Sequence, residues 1–248
     1  MEKYGLIGYP LVHSFSISYF NEKFKNENID AVYENYEIPT IEQLPEIIET
    51  NPELKGLNVT IPYKEKVISY LDSISPEARE IGAVNVIKVI HKGKKTVLKG
   101  YNSDVIGFTR SIEPLLEPFH KKALILGTGG ASKAIDFGLK SLKLETLKVS
   151  RYDRPNTIRY DQITPEMMKE WNVIVNCTPC GMYPHSDECP ALPYEAMDNH
   201  TLLYDLIYNP DETLFMNNGK KYGATVKNGL EMLLLQAFAS WEFWHSSI

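Results

Sequence analysis

Two polar stretches, each placed directly after a short apolar run, carry the side chains best suited to acid–base chemistry. The first runs from Asn58 to Lys64 and the second from Gly100 to Asp104. An ammonium group that lies beside a carboxylate can transfer a proton to or from a substrate, whereas a lone lysine is more often a solvated surface residue. Since Asp104 could orient the ammonium group of Lys64, the two residues together predict a catalytic pair.

Hydroxyl and amide side chains near the starts of two predicted elements are candidate substrate contacts. Ser14 and Ser16 open a segment whose apolar residues recur at helical spacing. Two hydroxyls and the backbone N–H groups of a helix start would form a seat for a carboxylate or a phosphate, but Ser14 would serve equally well as an N-cap beside a solvated Ser16. Asn85 lies at the mouth of a strand, where its amide could bind a substrate hydroxyl or simply close a turn.

A glycine-rich turn joins a buried strand pattern to a helix pattern. The strand comprises residues 122–126, the helix runs to Leu142, and the turn between them contains Gly127, Gly129, Gly130 and Ala131. Glycine lets the backbone approach a pyrophosphate, and the N–H groups of the following helix stabilise its charge. A glycine turn alone is weak support for a dinucleotide site, but a strand before it and a helix after it are the context that such a site requires.

The tip of the next predicted strand carries the residues that would select the cofactor. An NAD-binding domain usually places an acidic residue there for the ribose hydroxyl. This chain instead has Ser150 and Arg151, with Arg154 close behind and Asp153 between the two arginines. Two arginines favour a 2′-phosphate, so we expect NADP(H), with NAD as the alternative that Asp153 would favour.

Strand and helix patterns alternate along most of the chain. Helices are predicted over residues 41–49, 64–71, 105–116 and 229–244, and the strands between them are short and apolar. Alternation of this kind is typical of an α/β fold in which helices cover a mostly parallel sheet. The last helix is largely apolar, and its polar residue Gln236 would need a partner, such as a ligand, if it is buried.

The chain has 248 residues, which is enough for one large domain or two small ones. We place an N-terminal α/β substrate domain at residues 1–104, completed by the C-terminal helix at residues 229–248. A Rossmann-like dinucleotide-binding domain would then occupy residues 105–228.

Composition and charge argue against several other classes of protein. A net charge of −6 disfavours nucleic acid and anionic membranes as partners, because both require clustered basic residues. No apolar run approaches the roughly 20 residues of a membrane helix, and no signal peptide is recognisable, so we expect a cytoplasmic protein. Its three cysteines do not suggest a disulfide framework.

The cysteines raise one alternative from a different functional class. Cys177, Cys180, His185 and Cys189 have a spacing one residue shorter than that of a zinc knuckle, a nucleic-acid-binding module. Their segment, however, follows a predicted strand at the expected cofactor edge, and its acidic residues would repel a nucleic-acid backbone. We therefore expect no metal site.

Taken together, these motifs resemble those of the shikimate dehydrogenase family, in the right order and over essentially the whole chain. The family's first substrate motif resembles residues 8–16, and its N-V-T-x-P-x-K motif is present in full at residues 58–64. Its G-A-V-N motif is found at residues 82–85, and its N-T-D motif at residues 102–104 with serine in place of threonine. The resemblance implies that Lys64 and Asp104 are catalytic. It also implies a set of substrate-binding residues, namely Ser14, Ser16, Asn58, Thr60, Asn85, Tyr208 and Gln236.

The second half of the chain carries the same resemblance. The family's N-x-T-P-x-G-M loop is similar to residues 176–182, and its D-x-x-Y-x-P segment is similar to residues 205–210. Residues 150–152 stand where the family often has N-R-T, which binds the 2′-phosphate of NADP. With the glycine turn and the two arginines, the resemblance gives a set of cofactor-binding residues, namely Gly127, Gly129, Gly130, Ala131, Ser150, Arg151, Arg154, Thr178, Gly181, Met182, Gly229 and Met232.

The activity that the resemblance implies is reversible reduction of 3-dehydroshikimate to shikimate by NADPH, a step of chorismate and aromatic amino-acid biosynthesis, carried out by a monomer or a homodimer. The nearest alternative is a quinate/shikimate dehydrogenase-like enzyme that uses NAD. A non-catalytic nucleotide-binding regulator of the same fold is the alternative from another class. The presence of both Lys64 and Asp104 argues against that alternative, because a sensor has no need of a proton relay.

Overall fold

The computed structural model describes residues 1–11, 15–93 and 95–246, and the chain divides into two compact units. The first unit comprises Met1–Ser103 and Ala237–Ile248, and the second comprises Asp104–Gln236. Both units are built from strands and helices in alternation, which confirms the α/β fold class. The boundary between Gln236 and Ala237 falls within the C-terminal helix, whereas the sequence prediction placed this boundary before the helix. None of the helices in the described ranges combines the length and the apolarity that a membrane crossing requires.

The first unit is organised around a mixed sheet. Its strands are β1 (Glu2–Gly8), β2 (Ala31–Glu37), β3 (Leu54–Val59), β4 (Ser73–Ile74), β5 (Val86–Lys92) and β6 (Lys95–Tyr101), and its described helices include α1 (Phe15–Asn26), α2 (Leu44–Thr50) and α3 (Pro76–Ile81). The strand order is β2-β1-β3-β5-β6-β4, with β1 parallel to β2 and β3, and β5 antiparallel to β3 and β6. The β5–β6 hairpin thus adds antiparallel pairs to a parallel β2-β1-β3 layer.

The second unit is organised around a parallel sheet. Its elements are α4 (Asp104–Ile112), β7 (Lys122–Leu126), α5 (Gly130–Ser141), β8 (Glu145–Ser150), β9 (Thr157–Arg159), α6 (Pro165–Glu170), β10 (Val173–Asn176), β11 (Leu202–Asp205), α7 (Leu214–Lys221), β12 (Thr225–Lys227) and the start of α8 (Leu230–His245). The strand order is β12-β11-β10-β7-β8-β9, and every neighbouring pair in it is parallel. Parallel pairing brings the carboxyl ends of these strands, and the loops that follow them, to one edge of the sheet.

Local sequence sets the bounds of α3, the helix that precedes the candidate residue Asn85. The hydroxyl of Ser75 accepts a hydrogen bond of 3.1 Å from the N–H of Ala78 and so caps the first turn. Pro76 occupies the first helical position, where its missing N–H is not needed. Gly82 ends the helix with a φ of +71°, a conformation that glycine adopts without steric cost. The entry of the chain toward Asn85 is therefore fixed by three residues that sequence reasoning can identify.

The helix predicted over residues 64–71 is shorter and tighter in the structure. A 3₁₀ helix covers Lys66–Tyr70, and Lys64 lies in the turn before it. This segment contains backbone bonds that span three residues, as from the N–H of Ile68 to the carbonyl oxygen of Glu65. The hydroxyl of the buried Tyr63 donates to the carbonyl oxygen of Ile38 and anchors the start of the segment. Lys64 is thus carried by a turn with an anchored neighbour, and the predicted α-helical first turn is wrong.

The end of α8 packs directly on the sheet of the first unit. The indole of Trp244 lies over Gly56 of β3 so closely that a Cβ at position 56 would come within 2.3 Å of it. The indole N–H donates to the carbonyl oxygen of Ile87 at 3.1 Å, and the ring packs against Tyr4 and Phe20 with centroid distances of 4.8 and 5.3 Å. The absence of a side chain at Gly56 is therefore what allows the helix end to approach the sheet.

Replacement of Gly56 by alanine should destabilise the protein, because the added methyl group must displace the indole of Trp244. Overpacking of this kind costs about 1–3 kcal/mol, which urea denaturation followed by circular dichroism would measure. Lys55→Ala, at the half-exposed neighbouring position of the same strand, is the control and should change stability by less than about 0.5 kcal/mol. Equal midpoints for the Gly56→Ala and Lys55→Ala variants would contradict the packing argument.

Candidate active site

Two of the predicted asparagines, Asn58 and Asn85, meet at the strand ends of the first unit. Asn58, on β3, donates from Nδ2 to the carbonyl oxygen of Asn85, the residue before β5, at 3.3 Å. The side chain of Asn85 is bonded to Ser103: its Oδ1 accepts from the Ser103 N–H at 2.7 Å, and its Nδ2 donates to the Ser103 hydroxyl at 3.0 Å. Since Asn85 is only 4% exposed, these bonds fix the orientation of its amide. The fold thus brings two of the predicted substrate contacts together.

Lys64 and Thr60 lie on a turn whose backbone is tied to its neighbours. The carbonyl oxygen of Lys64 accepts a hydrogen bond of 2.7 Å from the N–H of Val84, and the N–H of Thr60 donates to the carbonyl oxygen of Ile7 in β1 at 2.9 Å. Both side chains are half-buried. The backbone of Lys64, on the turn that follows β3, therefore has a defined position, unlike that of a lysine on an untethered surface loop.

Of the two serines predicted to hold a carboxylate, Ser14 lies outside the described residues. Ser16 lies in the first turn of α1 and is half-buried. Burial raises the pKa of the nearby Tyr33 phenol above its ordinary value, against a lowering effect of Ser16, so the phenol stays protonated at neutral pH. The half-buried Ser16 hydroxyl therefore lies near a neutral phenol.

The predicted catalytic acid opens a helix in the second unit. Asp104 is the first residue of α4 and is 3% exposed. A carboxylate in the first turn is favoured by the positive end of the helix dipole. The chain that leads to it is held in place, because the buried amide of Asn102 donates to the carbonyl oxygen of Ala83 at 3.0 Å.

The turn after β7 has the backbone shape that a dinucleotide phosphate requires. Gly127 has a φ of +106°, and Gly129 precedes α5 in a space where an added Cβ would meet no heavy atom within 4 Å. Gly130 and Ala131 form the first turn of α5, and no side chain caps this helix at Gly129. An open space in front of an uncapped helix N-terminus suits an anion, so the residues present fit the pyrophosphate of NADP(H).

The turn after β8 presents two exposed arginines. Ser150 is 5% exposed, and its hydroxyl accepts a hydrogen bond of 3.2 Å from the N–H of Tyr152, so this hydroxyl closes the turn. Arg151 and Arg154 are exposed, and the guanidinium of Arg151 lies 5.9 Å from the ring centre of Tyr152. Of the predicted 2′-phosphate ligands, the two arginines are thus exposed, whereas Ser150 is buried and its hydroxyl accepts a backbone bond that closes the turn.

The acidic residue of this turn has a countercharge of its own. Asp153 lies 3.9 Å from Arg159, a residue that also binds the carboxylate of Asp161 through two bonds of 3.0 and 2.7 Å. Arg159 lies on β9, where it is the register partner of Ser150 on the neighbouring strand β8. The negative charge that Asp153 would present to a 2′-phosphate is therefore reduced.

The predicted cofactor loop after β10 rests on a buried polar cluster. Oδ1 of Asn176 accepts from the N–H and the hydroxyl of Thr178 at 3.1 and 2.6 Å, and its Nδ2 donates to Asp205 at 3.0 Å. Asp205 also accepts from the hydroxyl of Thr213 at 2.6 Å and from the N–H of Ile207 at 3.1 Å. Burial raises the pKa of Asp205 to about 6, against the lowering effect of these hydrogen bonds.

Sequence reasoning assigned no role to Asn176 and Asp205, although each ends an apolar strand with a polar side chain and could have been singled out on that basis. Both are fully buried. In the loop they support, Gly181 has a φ of +96° and Met182 is 47% exposed. The cluster therefore fixes the base of a loop whose tip presents an apolar side chain to solvent.

The remaining predicted residues lie around the start of α8. Tyr208 is 40% exposed, so its phenol is accessible. A Cβ at Gly229 would come within 2.1 Å of the carbonyl oxygen of Leu206, so only glycine permits this approach of the backbone. Met232 is 6% exposed and packs in the core of the second unit, and Gln236 is half-buried beside it on the helix. Gly229 and Met232 thus contribute to packing, whatever they add to ligand binding.

The three cysteines have free thiols. Burial raises the pKa of Cys177 and, with neighbouring acidic groups, that of Cys180, which disfavours the thiolate that a metal binds. Cys189 accepts a hydrogen bond of 3.5 Å from the amide of Asn218. Within residues 1–11, 15–93 and 95–246, no group of three or more His, Cys, Asp or Glu side chains is arranged to hold a metal ion.

Comparison with known proteins identifies relatives over nearly the whole chain. A family model described as the shikimate dehydrogenase substrate binding domain matches residues 6–87. The shikimate dehydrogenase (NADP(+)) of Carboxydothermus hydrogenoformans is 38% identical over 257 residues, which cover 97% of this chain and 90% of that protein. The crystal structure of Thermus thermophilus shikimate 5-dehydrogenase in complex with NADP(H) and shikimate has a TM-score of 0.85 at 30% identity, covering 100% of this chain and 95% of that one. A shikimate dehydrogenase crystallised with NADP+ has a TM-score of 0.86 at 32% identity, and the match covers 99% of this chain and 90% of that one.

The charge state of Asp205 should make stability depend on pH in a defined direction. Its pKa in the fold, about 6, lies above the ordinary 3.8, so its contribution to stability is complete below about pH 4 and is lost as pH rises through 6. The free energy of unfolding of Asp205→Asn, relative to wild type, should therefore rise by about 2–3 kcal/mol between pH 4 and pH 7.5. Urea titrations at several pH values measure it. Asp187→Asn, at an exposed site in the same unit, is the control, and parallel pH curves for wild type and Asp205→Asn would contradict the expectation.

Proposed function

The chain belongs to the shikimate dehydrogenase family, and from that premise we propose that it catalyses the reversible NADPH-dependent reduction of 3-dehydroshikimate to shikimate, an oxidoreduction at a CH–OH group. The observation that carries the proposal is the turn after β3. There the backbone of the turn that carries Lys64 is tied to β1 and to Val84, and the side chains of Asn58 and Asn85 are each held by hydrogen bonds at the adjoining strand ends. A lysine on this turn, with oriented amides at the strand ends, suits a polyhydroxylated substrate whose carbonyl oxygen must be protonated.

We propose Lys64 as the group that delivers a proton to the carbonyl oxygen. NADPH supplies the hydride when it is bound, and negative charge then develops on that oxygen. A positioned donor stabilises this charge, and such proton transfer contributes about 10²–10⁴-fold to a rate. Asp104 is the second proposed catalytic residue, either as the carboxylate that orients the ammonium or as a group that shares its proton.

For substrate recognition we propose that amide side chains bind the ring hydroxyls of the substrate and that serine hydroxyls bind its carboxylate. An amide both donates and accepts, so an oriented asparagine can satisfy a hydroxyl in both directions. The hydrogen bonds that fix Asn85 and Asn58 support this role, as does the half-buried position of Ser16 in the first turn of α1. The residues proposed to contact substrate are Ser14, Ser16, Asn58, Thr60, Asn85, Tyr208 and Gln236.

For the cofactor we propose that the pyrophosphate lies at the start of α5 and that Arg151 and Arg154 bind the 2′-phosphate. The open space at Gly129 supports the first assignment, and the exposure of both arginines supports the second. Thr178, Gly181 and Met182 would line the nicotinamide end of the site. NADP(H) rather than NAD is the proposed cofactor, consistent with the partial neutralisation of Asp153 by Arg159.

The setting of the enzyme is also a proposal. Three free thiols are typical of proteins in a reducing compartment, which supports a cytoplasmic location. A net charge of −6 argues against nucleic acid as a partner. We propose a monomer or a homodimer, and sedimentation equilibrium of the purified chain distinguishes them.

The function is tested by following NADPH absorbance with the purified protein. Wild type should oxidise shikimate with NADP+ faster than it oxidises quinate, and Lys64→Ala should lower kcat by about 10²–10⁴-fold because the proton donor is removed. Dissociation constants for NADPH, from fluorescence titration, should be unchanged. Lys66→Ala, an exposed lysine on the same segment, is the control. Near-normal turnover by Lys64→Ala would overturn the assignment, and tight NADPH binding without turnover by wild type would support a nucleotide-binding regulator instead.

Cofactor selectivity is tested separately. Arg151→Ala should raise KM for NADP+ by about 10–100-fold, the worth of a charge-assisted hydrogen bond to phosphate, and should change KM for NAD+ much less. Arg79→Ala, an exposed arginine of the first unit, has the same change of net charge and should leave both constants unaltered. If Arg151→Ala affects both cofactors equally, the arginine does not read the 2′-phosphate.

A further inference from the structure

Three buried hydroxyl groups of the first unit lie behind the proposed substrate contacts. They belong to Tyr33 on β2, Ser103 after β6 and Ser240 on α8, whose exposed fractions are 1%, 0% and 1%. Sequence analysis assigned none of them a role. Buried hydroxyls are costly unless they are hydrogen-bonded, so their partners indicate what they do.

Tyr33 bonds directly to Asn58. Its phenol donates to Oδ1 of Asn58 at 2.9 Å. A phenol has one hydrogen to donate, and here that hydrogen goes to the amide oxygen of Asn58. The bond therefore sets the side on which the Asn58 oxygen lies.

Ser240 and Ser103 join Asn58 to Asn85. Nδ2 of Asn58 donates to the Ser240 hydroxyl at 2.9 Å, and the Ser240 and Ser103 oxygens lie 3.2 Å apart. Ser103 in turn binds both ends of the Asn85 amide. Its N–H donates to Oδ1 of Asn85, and its hydroxyl accepts from Nδ2. A continuous series of hydrogen bonds thus runs from Tyr33 through Asn58, Ser240 and Ser103 to Asn85.

This series determines which way each amide faces. The carbonyl oxygen of Asn85 can only accept, so Nδ2 of Asn58 must face it. Tyr33, which donates to Oδ1, and Ser240, which accepts from Nδ2, complete the bonding of the amide in that orientation. The arrangement crosses elements that are far apart in sequence, since Asn58 and Ser240 are separated by 182 positions. Its hydroxyl members are too deeply buried to contact a ligand themselves.

We infer that Tyr33 and Ser240 are positioning residues that hold the amide of Asn58 and, through Ser103, that of Asn85 in the orientation in which they receive the substrate. The inference rests on the proposed function, because it takes Asn58 and Asn85 as substrate contacts. Preorganised hydrogen-bonding groups bind without the cost of ordering them first. Loss of either hydroxyl should therefore weaken substrate binding and leave cofactor binding unaltered.

Tyr4 provides a matched control for Tyr33. The two tyrosines are register partners on β1 and β2, belong to the same aromatic cluster, and are each 1% exposed. The Tyr4 hydroxyl, however, donates to Glu2 and not to a proposed substrate contact. Both Tyr→Phe changes remove one buried phenol hydroxyl from the same cluster, so only a positioning role should separate their kinetics.

The test measures KM and kcat for shikimate at saturating NADP+, and KM for NADP+ at saturating shikimate. Tyr33→Phe should raise KM for shikimate by roughly three- to tenfold, the worth of one neutral hydrogen bond, with KM for NADP+ unchanged. Tyr4→Phe should change neither constant. Ser240→Ala should reproduce the effect of Tyr33→Phe, and it keeps the test open if Tyr33→Phe fails to fold.

The double variant sharpens the test, because Tyr33 and Ser240 act on the same amide. Once Asn58 has lost one support, loss of the second should cost less. The increase in KM for the double variant should therefore be smaller than the product of the increases for the two single variants. If wild type turns over shikimate and Tyr33→Phe and Ser240→Ala both match Tyr4→Phe, the inference is wrong while the proposed function stands. If wild type turns over neither shikimate nor quinate, the proposed function fails and this inference fails with it.

Discussion

A polar side chain buried at the end of a strand must find a hydrogen-bond partner, and the candidate sites of both units depend on that constraint. In the first unit Asn58, near the end of β3, is bonded to the residue before β5. In the second, Asn176 ends β10 and is bonded to Asp205, which ends β11. An unpaired buried amide group would cost about 1–3 kcal/mol. The need to avoid that cost ties adjacent strand ends together and so makes the edges that carry the loops rigid.

The two clusters meet the constraint with different chemistry. Amides and hydroxyls make up the cluster around Asn58, and these groups can both donate and accept. The orientation of Asn58 is set where its Nδ2 meets the carbonyl oxygen of Asn85, which only accepts, and the buried hydroxyls complete the bonding. Around Asn176 a carboxylate makes the selection. A carboxylate only accepts, so Nδ2 of Asn176 must face Asp205, and Oδ1 is then left for Thr178. The orientation is gained at the cost of burying an ionisable group, which is why burial raises the pKa of Asp205 to about 6.

Features encoded in adjacent residues could be predicted from the sequence. The helix bounded by Ser75 and Gly82 and the glycine turn after β7 are of this kind, because a cap, a proline or a positive φ is a local property. The anchoring of the turn around Lys64 could not be predicted, since the hydroxyl of Tyr63 donates to the distant carbonyl oxygen of Ile38 and no local pattern shows this contact. The hydroxyl of Tyr33 was equally hidden, because a tyrosine in a strand pattern gives no sign that its phenol faces an asparagine on another strand.

Ser240 shows why the candidate substrate face depends on the C-terminal end of the chain. It is a lone hydroxyl on an apolar stretch of α8, and a hydroxyl buried there would be destabilising without a partner. Its partner is Asn58, and the close contact of Trp244 with Gly56 holds the helix at the distance that this bond requires. Residues 6–87, which match the substrate binding domain, supply the strands and both asparagines but not this acceptor. The strands therefore define where the amides lie, and the helix from the end of the chain helps to define which way they face.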